Sequence, residues 1–348
     1  MYFTREGLEK FRSFKGPLID VRSPSEYYKG HMPNSINIPL FDNNERAIIG
    51  TIYKKNGREK AVIEGLTFIE KKIETLLNSL LESINSFRID DKVFDNGKST
   101  IRIYCARGGM RSFSVSWLLE KYKFKTFTLQ GGYKKYRKWV LDSFSNDWNI
   151  VLIGGKTGTG KTRLLKLLDK NNYQSIDLEG LACHRGSTFG GLGMKKQPSN
   201  ENFENMIAEK LYSFKNNDYI FVEAESANIG KCKIPHELFN QMKTSQRIEI
   251  IRSESNRLEE LISSYSIFSQ EDLEESVLRI RKRLGPERTK KAIESIKRKE
   301  WALVCKSVLE YYDKCYEYEK VGKENIKSLD LTDQNYNLDT IAAINNLL

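Results

Sequence analysis

The sequence predicts an α/β protein made of two successive domains, each with a parallel sheet. Over the first 144 residues, short runs rich in Ile, Val and aromatic residues alternate with stretches of helical periodicity. A polar stretch follows, and a new strand at Ile150–Ile153 leads directly into a glycine-rich loop. The 348 residues suffice for two or three cores, at about 150 residues per domain. We expect domains over 1–144 and 145–252, with a mostly helical, basic region over 253–348 that completes the second domain.

The first domain is predicted to be a three-layer α/β unit. Between its first two strands, Ser23 and Glu26 have the spacing of a capping box, which predicts a helix start. Apolar residues recur at helical spacing from Glu59 to about Ser86, which predicts one or two amphipathic helices. The predicted strands are Pro17–Val21, Ser35–Ile38, Thr100–Tyr104 and Lys125–Leu129. In the second domain they are Ile150–Ile153, Tyr219–Glu223, Ile248–Arg252 and Ile326–Leu331.

Composition limits the classes of function. The formal net charge of +11 indicates an anionic partner, for which nucleic acid is the commonest choice. No apolar run approaches the roughly 20 residues of a membrane span, and the N-terminus lacks the pattern of a secretory signal. We therefore expect a cytoplasmic protein with no membrane partner. The five cysteines are widely spaced and form no C-x-x-C pair, so no disulfide framework and no certain metal ligands are predicted.

A cysteine between a strand and a helix is the first candidate for catalysis. Cys105 follows the strand Thr100–Tyr104 and precedes a predicted helix at Ser112–Glu120. Backbone N–H groups in such a loop can surround an anion, and the helix N-terminus adds partial positive charge. Two arginines favour the thiolate, and two glycines allow close backbone approach. The predicted anion-binding residues of this loop are Arg107, Gly108, Gly109 and Arg111.

Three segments of the first domain resemble a rhodanese domain, in which the cysteine carries a persulfide. They are Asp20–Tyr27, Gly30–Pro39 and Cys105–Ser112, in the order found in rhodaneses. The spacing from Cys105 to Arg111 is Cys-x5-Arg, longer than the loop typical of sulfur-transferring rhodaneses. Related phosphatases use this spacing to form a phosphocysteine. A sulfurtransferase and a phosphatase, each with a nucleotide-binding domain, therefore remain open at this point.

The glycine-rich loop of the second domain is a P-loop. Gly155–Thr162 satisfies G-x-x-x-x-G-K-[ST] between a predicted strand and a predicted helix at Lys161–Asp169. In this motif the backbone amides hold a diphosphate or triphosphate, the lysine neutralises a terminal phosphate and the hydroxyl reaches Mg²⁺. The motif does not decide whether a nucleotide is bound or hydrolysed. The predicted diphosphate-binding residues are Gly155, Gly158, Gly160, Lys161 and Thr162.

Further polar residues of the second domain are candidates for metal binding or acid–base chemistry. Glu223 and Glu225 end an apolar strand, where P-loop proteins place an acidic residue. His184 lies in a glycine-rich segment and is a candidate acid or base, because histidine side chains ordinarily titrate near neutral pH. Arg185 and Gly186 of the same segment are candidate ligand contacts.

These motifs together resemble the tRNA 2-selenouridine synthases, in which a rhodanese domain precedes a P-loop domain. The segments His184–Gly190, Val222–Ser226 and Tyr311–Asp313 extend the resemblance over most of the chain. It implies conversion of wobble 2-thiouridine in tRNA to 2-selenouridine through an S-geranyl intermediate. The implied substrates are geranyl diphosphate, held by the P-loop, and then selenophosphate, with Cys105 as a selanyl carrier.

The resemblance also implies the partners of the protein. They are tRNA and a supplier of selenophosphate, with Mg²⁺ as the candidate metal and no tightly bound cofactor. A tRNA-binding module whose rhodanese domain only docks partners is a non-catalytic alternative. The basic C-terminal region suits contacts to RNA backbone and bases. Its cations are Arg279, Arg281, Lys282, Arg283, Arg288, Lys290, Lys291, Lys297, Arg298 and Lys299, and its aromatic residues are Trp301, Tyr311, Tyr312 and Tyr316.

Overall fold

A computed structural model describes residues 3–89, 100–186, 190–215, 218–319, 325–332 and 334–348. Ser187, Thr188 and Phe189 of the glycine-rich segment lie outside the described residues, as do the side chains of Arg283, Tyr311 and Tyr316. The chain forms two compact units. One comprises Met1–Ser143 with Glu204–Met206, and the other Phe144–Phe203 with Ile207–Leu348.

The first unit is built on a parallel five-stranded sheet in the order β1-β5-β4-β2-β3. Its strands are β1 (Phe3–Glu6), β2 (Leu18–Asp20), β3 (Ile36–Asn37), β4 (Thr100–Tyr104) and β5 (Lys125–Leu129). Its helices are α1 (Leu8–Ser13), α2 (Pro24–Lys29), α3 (Asn43–Asn56), α4 (Arg58–Glu70), α5 (Ile73–Ile89), α6 (Met110–Lys121) and α7 (Gly132–Ser143). The predicted capping box of Ser23 and Glu26 begins α2. Ile19, Ile101 and Ile103 form the buried centre with Leu80 and Leu119.

The segment between β3 and β4 contains more helix than was predicted. A capping box of Asp42 and Glu45 starts α3, a helix that was not predicted from the sequence because none of its residues is buried. The helical periodicity predicted from Glu59 to Ser86 is distributed over α4 and α5, which are separated at Lys71 and Lys72.

The second unit also contains a parallel five-stranded sheet, in the order β12-β11-β6-β8-β7, with a small antiparallel pair, β9 and β10. Its strands are β6 (Ile150–Gly155), β7 (Gln174–Ile176), β8 (Ile220–Glu223), β9 (Asn228–Ile229), β10 (Cys232–Lys233), β11 (Gln246–Ile251) and β12 (Ile326–Asp330). Its helices are α8 (Lys161–Lys170), α9 (Leu178–Ala182), α10 (Asn200–Tyr212), α11 (His236–Thr244), α12 (Glu254–Tyr265), α13 (Gln270–Arg279), α14 (Arg281–Leu284), α15 (Pro286–Lys297), α16 (Trp301–Glu319) and α17 (Leu338–Leu347).

Both sheets place loops with chemical function at the carboxyl ends of their strands. β4 leads into the Cys105 loop, and β6 leads into the P-loop, while every residue of β6 is buried. Parallel sheets covered on both faces have such continuously buried strands. The predicted α/β class is confirmed. Among the described residues, no helix combines the length and apolarity that crossing a membrane requires.

Candidate active site

The loop after β4 surrounds the sulfur of Cys105. The N–H of Gly109 donates to Sγ at 3.3 Å, and the Ser112 hydroxyl lies 3.3 Å from the same atom. Burial of the thiol opposes ionisation. Hydrogen bonds from Ser112, the charge of Arg111 and the backbone of Arg107 outweigh burial and lower the pKa of Cys105. The loop therefore stabilises the thiolate, which is the nucleophilic form.

The first turn of α7 packs directly against this loop. The N–H of Tyr133 donates to the carbonyl of Cys105 at 2.9 Å. Gly132 has φ +56°, and a Cβ there would lie 2.2 Å from the Cys105 carbonyl oxygen. Gly108 has φ +62°, and its Cβ would lie 2.3 Å from the Leu129 carbonyl oxygen. Only glycine fits at these two positions, because both the backbone conformation and the space exclude a side chain.

A buried ion pair in the Asp20–Tyr27 segment supports the same turn. Arg22 donates to Asp20 and to the carbonyl of Gly30, both at 2.6 Å. Its guanidinium lies over the Tyr133 ring, 3.8 Å from the centroid. Because the backbone N–H of Tyr133 donates to the Cys105 carbonyl, this ion pair packs against the residue that holds the loop.

The two arginines of the loop have different surroundings. Arg111 donates to both carboxylate oxygens of Glu26, at 2.6 and 3.2 Å. Burial opposes the charge of Glu26, but the bonds from Arg111 dominate and hold its pKa at about 2. The Arg107 side chain is exposed. Of the two predicted anion ligands, Arg107 is therefore open to solvent, and Arg111 is engaged by a carboxylate.

The P-loop connects β6 to α8, which is the strand-to-helix context that the sequence predicts. Gly155, Gly158 and Gly160 all have positive φ. The Lys161 ammonium donates to the carbonyl of Gly155 at 3.0 Å, so the lysine folds back over the loop. All five predicted phosphate-binding residues line one cavity of about 730 Å³.

Residues distant in sequence donate hydrogen bonds to backbone carbonyls of the P-loop. Arg257 donates to the carbonyl of Thr157 at 2.8 Å and forms a bidentate pair with Asp313, at 2.5 and 3.0 Å. The Tyr336 hydroxyl donates to the carbonyl of Thr159. The sequence analysis did not identify Arg257 or Tyr336, because nothing local to either residue indicates contact with a loop about 100 or more positions away.

Carboxylates lie beside the Thr162 hydroxyl. It donates to Glu223 Oε1 at 2.8 Å and lies 3.4 Å from Glu179 Oε2. Burial, and then the charge of Glu225, raise the pKa of Glu179 to about 8. Burial, and then the charge of Glu179, raise the pKa of Glu223 well above its usual range. Glu179 was not predicted, because it lies on a short helix with no motif of its own.

The glycine-rich segment after α9 reaches the cavity in part. Arg185, Gly186 and Glu225 line it, whereas His184 is not among its lining residues. The Arg185 guanidinium lies 5.7 Å from the Tyr265 ring centroid, and its buried Nη1 has no hydrogen-bond partner in the described part of the chain. This nitrogen is available to an anion in the cavity. The described residues contain no group of three His, Cys, Asp or Glu that could hold a metal ion.

The cavity has an apolar side as well as its phosphate cradle. The apolar and aromatic residues that line it are Met194, Ala224, Leu261, Tyr265 and Tyr312. Phosphate-binding candidates and apolar residues therefore line the same cavity, and Leu261 lies next to Gly158 of the P-loop.

Comparisons with known proteins assign both units. The model of the Rhodanese-like domain matches residues 5–138, and that of the tRNA 2-selenouridine synthase AAA domain matches residues 148–335. A relative from Shewanella denitrificans is 31% identical over 345 residues, covering 88% of this chain and 89% of its own length. A relative from Pseudomonas syringae pv. syringae is 32% identical over 341 residues, covering 88% of this chain and 89% of its own length. Both are named tRNA 2-selenouridine synthase.

A third relative of that name, from Nitrosomonas eutropha, is 34% identical over 258 residues, which cover 72% of this chain. The chain spans 63% of the length of that relative. The order of domains, a rhodanese domain followed by a P-loop domain, is thus the one predicted from the sequence. From the family model and from relatives matched over most of both chains, the chain belongs to the tRNA 2-selenouridine synthase family.

Proposed function

We propose that this protein is a tRNA-modifying transferase that converts wobble 2-thiouridine to 2-selenouridine in two steps. In the first, the 2-thio sulfur bonds to C1 of geranyl diphosphate as the C1–O bond breaks, and diphosphate leaves. In the second, the Se–P bond of selenophosphate breaks as its phosphoryl group passes to water and leaves as phosphate. The selenide so released bonds to C2 of the base as the C2–S bond breaks, and geranylthiolate leaves. The relatives' name supports tRNA as the substrate.

The dual character of the P-loop cavity is the main support for the geranyl donor. Lys161 and the loop amides suit a diphosphate, and Arg185 adds a cationic nitrogen that has no hydrogen-bond partner among the described residues. The apolar and aromatic residues that line the cavity, among them Leu261 and Tyr265, suit a prenyl chain. In this assignment the P-loop stabilises the leaving diphosphate of an alkyl transfer, and no nucleotide has to be hydrolysed.

Mg²⁺ would lie at Thr162, which lines this cavity, and next to Glu223, which is buried outside the lining. Hard oxygen ligands are those that Mg²⁺ prefers, and Thr162 and Glu223 place two such oxygens 2.8 Å apart. Their neighbour Glu179 adds a carboxylate whose raised pKa reflects burial and repulsion from Glu225. Thr162 and Glu223 would hold the ion, with Glu179 beside them. When bound, Mg²⁺ would supply positive charge to the diphosphate.

We assign Cys105 to the selenium-transfer step. Its lowered pKa favours the nucleophilic thiolate, and the exposed Arg107 can attract anionic selenophosphate. A Cys-x5-Arg phosphatase would need its loop arginine free to hold phosphate, but Arg111 here forms a bidentate pair with Glu26. This pairing favours selenium transfer over phosphate ester hydrolysis.

The basic C-terminal region supports binding of tRNA. Its described cations are exposed, and some of them also pair with acidic neighbours, as Arg279 does with Glu275 at 2.8 Å. A surface rich in lysine and arginine binds RNA phosphates and releases counterions.

Mass spectrometry of tRNA nucleosides tests the function directly. The full chain is incubated with 2-thiouridine-containing tRNA, geranyl diphosphate and selenophosphate. We expect S-geranyl-2-thiouridine with the first donor alone and 2-selenouridine once both donors are present. The absence of both nucleosides with active wild-type protein would contradict the proposal. Formation of only a persulfide on Cys105 from a sulfur donor would favour the sulfurtransferase alternative.

A further inference from the structure

The outer face of α6 carries large apolar side chains, although exposed helix faces usually carry polar residues. Met110, Phe113 and Trp117 are spaced i, i+3 and i+7, so they form one stripe along the helix. They are 42%, 41% and 51% exposed. The opposite face is buried and consists of Ser112, Val115, Ser116 and Leu119. Single exposed apolar residues are common on protein surfaces, but a contiguous stripe indicates a binding surface.

This α6 stripe starts at the Cys105 loop. Met110 is the first residue of α6, and the N–H of the preceding Gly109 donates to Cys105 Sγ. From Met110 to Trp117 the stripe extends about 10 Å, at 1.5 Å per residue. A molecule with its reacting atom at Cys105 can therefore lay its neighbouring groups along the stripe.

Cations border the stripe. Arg107 is exposed on the loop, and Lys134 and Lys135 are exposed on the first turn of α7. The N–H of Lys134 donates to the carbonyl of Ala106 at 3.0 Å, which places this turn beside the loop. At the other end, the Lys121 ammonium lies 5.2 Å from the Trp117 ring centroid. The stripe thus combines aromatic faces with positive charge.

We infer that the α6 stripe and its bordering cations form a docking surface for a single-stranded RNA loop, in which Phe113 and Trp117 stack on unpaired bases beside the reacting uridine. Aromatic faces stack on bases, and lysine and arginine attract the backbone, which is how proteins bind single-stranded nucleic acid. The positive border complements a polyanion. This inference rests on the proposed function, because it takes tRNA as the substrate.

Binding of an RNA hairpin tests the surface. The probe is an anticodon stem-loop with 2-thiouridine at the wobble position, and its affinity for the full chain is measured by fluorescence anisotropy at fixed salt. Phe113→Leu and Trp117→Leu keep an apolar side chain but lose the ring. We expect each to weaken binding about tenfold, because a base–aromatic stack is worth about 1–3 kcal/mol. Trp117→Phe should retain most of the affinity.

Tyr53 provides a matched control, since it is 58% exposed on α3 of the same unit. Tyr53→Leu should bind the hairpin as tightly as the wild type. The inference is overturned if Phe113→Leu and Trp117→Leu bind with wild-type affinity. That result stands against it even if the two variants lose selenium loading from a donor protein, which would assign the stripe to a protein partner.

Nucleoside analysis on the same samples separates this inference from the proposed function. If the wild type modifies the hairpin and the leucine variants bind it normally, the docking surface is wrong and the function stands. If the wild type binds the hairpin through the stripe but forms neither geranylated nor selenated uridine, the function is wrong and the RNA surface stands.

Discussion

At the scale of single residues, the chemistry of Cys105 depends on contacts that oppose its burial. Only 3% of this residue is exposed, which by itself would favour the neutral thiol. Bonds from Ser112 and the charge of Arg111 reverse the direction of the pKa shift. By contrast, burial is the cause that raises the pKa of Cys305, to about 11.

Cys105→Ser should keep geranylation and lose selenation, because the hydroxyl remains neutral at the pH where the thiolate forms. We expect at least about a 10²-fold fall in 2-selenouridine, comparable to loss of other catalytic groups. In the wild type, selenium transfer should rise with pH through the lowered thiol pKa. Cys305→Ala is the control and should retain both activities. Normal selenation by Cys105→Ser would remove the cysteine from the mechanism.

Lys161→Ala should impair geranyl transfer, because Lys161 supplies positive charge next to the P-loop amides. The expected fall is about 10²-fold, the cost of losing one donor to a developing anion. Lys170→Ala is a matched control, since Lys170 is exposed in the last turn of the same helix. Both variants are compared by their rates of S-geranyl-2-thiouridine formation. Equal rates for Lys161→Ala and Lys170→Ala would count against the assigned diphosphate site.

The Glu26–Arg111 pair should make stability sensitive to acid. The pKa of Glu26 is lowered from 4.5 to about 2 in the folded protein. Its contribution is therefore complete above about pH 4.5 and is lost as the pH falls towards 2. Glu26→Gln should lower the free energy of unfolding by about 1–2 kcal/mol at neutral pH, after allowance for the partial exposure of Glu26. Urea unfolding at pH values from 7 to 3 gives the free energy of unfolding of the wild type and the variant. If the variant shows the same dependence on pH as the wild type, the prediction is contradicted.

At the scale of secondary structure elements, two loops at the ends of buried strands carry the candidate chemistry, and each is held by a second element. The first turn of α7 supports the Cys105 loop through Tyr133. Arg257 of α12 and Asp313 of α16 support the P-loop. Such supports keep binding groups in place before substrate arrives, which lowers the cost of ordering them.

Gly132→Ala should disrupt the contact of α7 with the Cys105 loop. The added Cβ would lie 2.2 Å from the Cys105 carbonyl oxygen, and the backbone at this position has a positive φ. We therefore expect the free energy of unfolding to fall by about 2 kcal/mol or more. Gly7→Ala is the control, because Gly7 belongs to the same unit and no atom of the described residues lies within 4 Å of the Cβ position there. Urea unfolding gives the stability, and the alkylation rate of Cys105 reports the thiolate. If the two variants had equal free energies of unfolding and equal alkylation rates of Cys105, the close contact between Gly132 and the Cys105 loop would be contradicted.

At the scale of the whole molecule, the net charge of +11 should make tRNA affinity fall steeply with salt. Lys290→Ala with Lys297→Ala should reduce the slope of log affinity against log salt by up to about 2. Lys291→Ala should change the slope less, because Lys291 already pairs with Glu287 at 3.1 Å. Filter binding from 50 to 300 mM salt measures this, and an unchanged slope in the double variant would exclude these lysines from the RNA contacts.

Motifs of adjacent residues were predictable because their geometry is local. The P-loop and the loop at Cys105 each lie between a strand and a helix, so residue spacing alone indicates how the backbone meets an anion. The capping box at Ser23 and Glu26 was predictable for the same reason. What spacing could not indicate is that Glu26 also holds Arg111, since that bond joins residues 85 positions apart.

By itself, the sequence determined the α/β class, the order of the two domains and the positions of the two loops that are predicted to bind anions. Only the tertiary structure decided which polar groups meet in each site. Glu179 and Glu223 approach Thr162, Arg257 reaches Thr157, and Gly132 fits against Cys105 only after distant strands have paired. The physical reason is that hydrogen bonds and charge interactions act over a few ångströms in space. Neighbours in space are set by the register of parallel strands, which residue spacing along one segment does not contain.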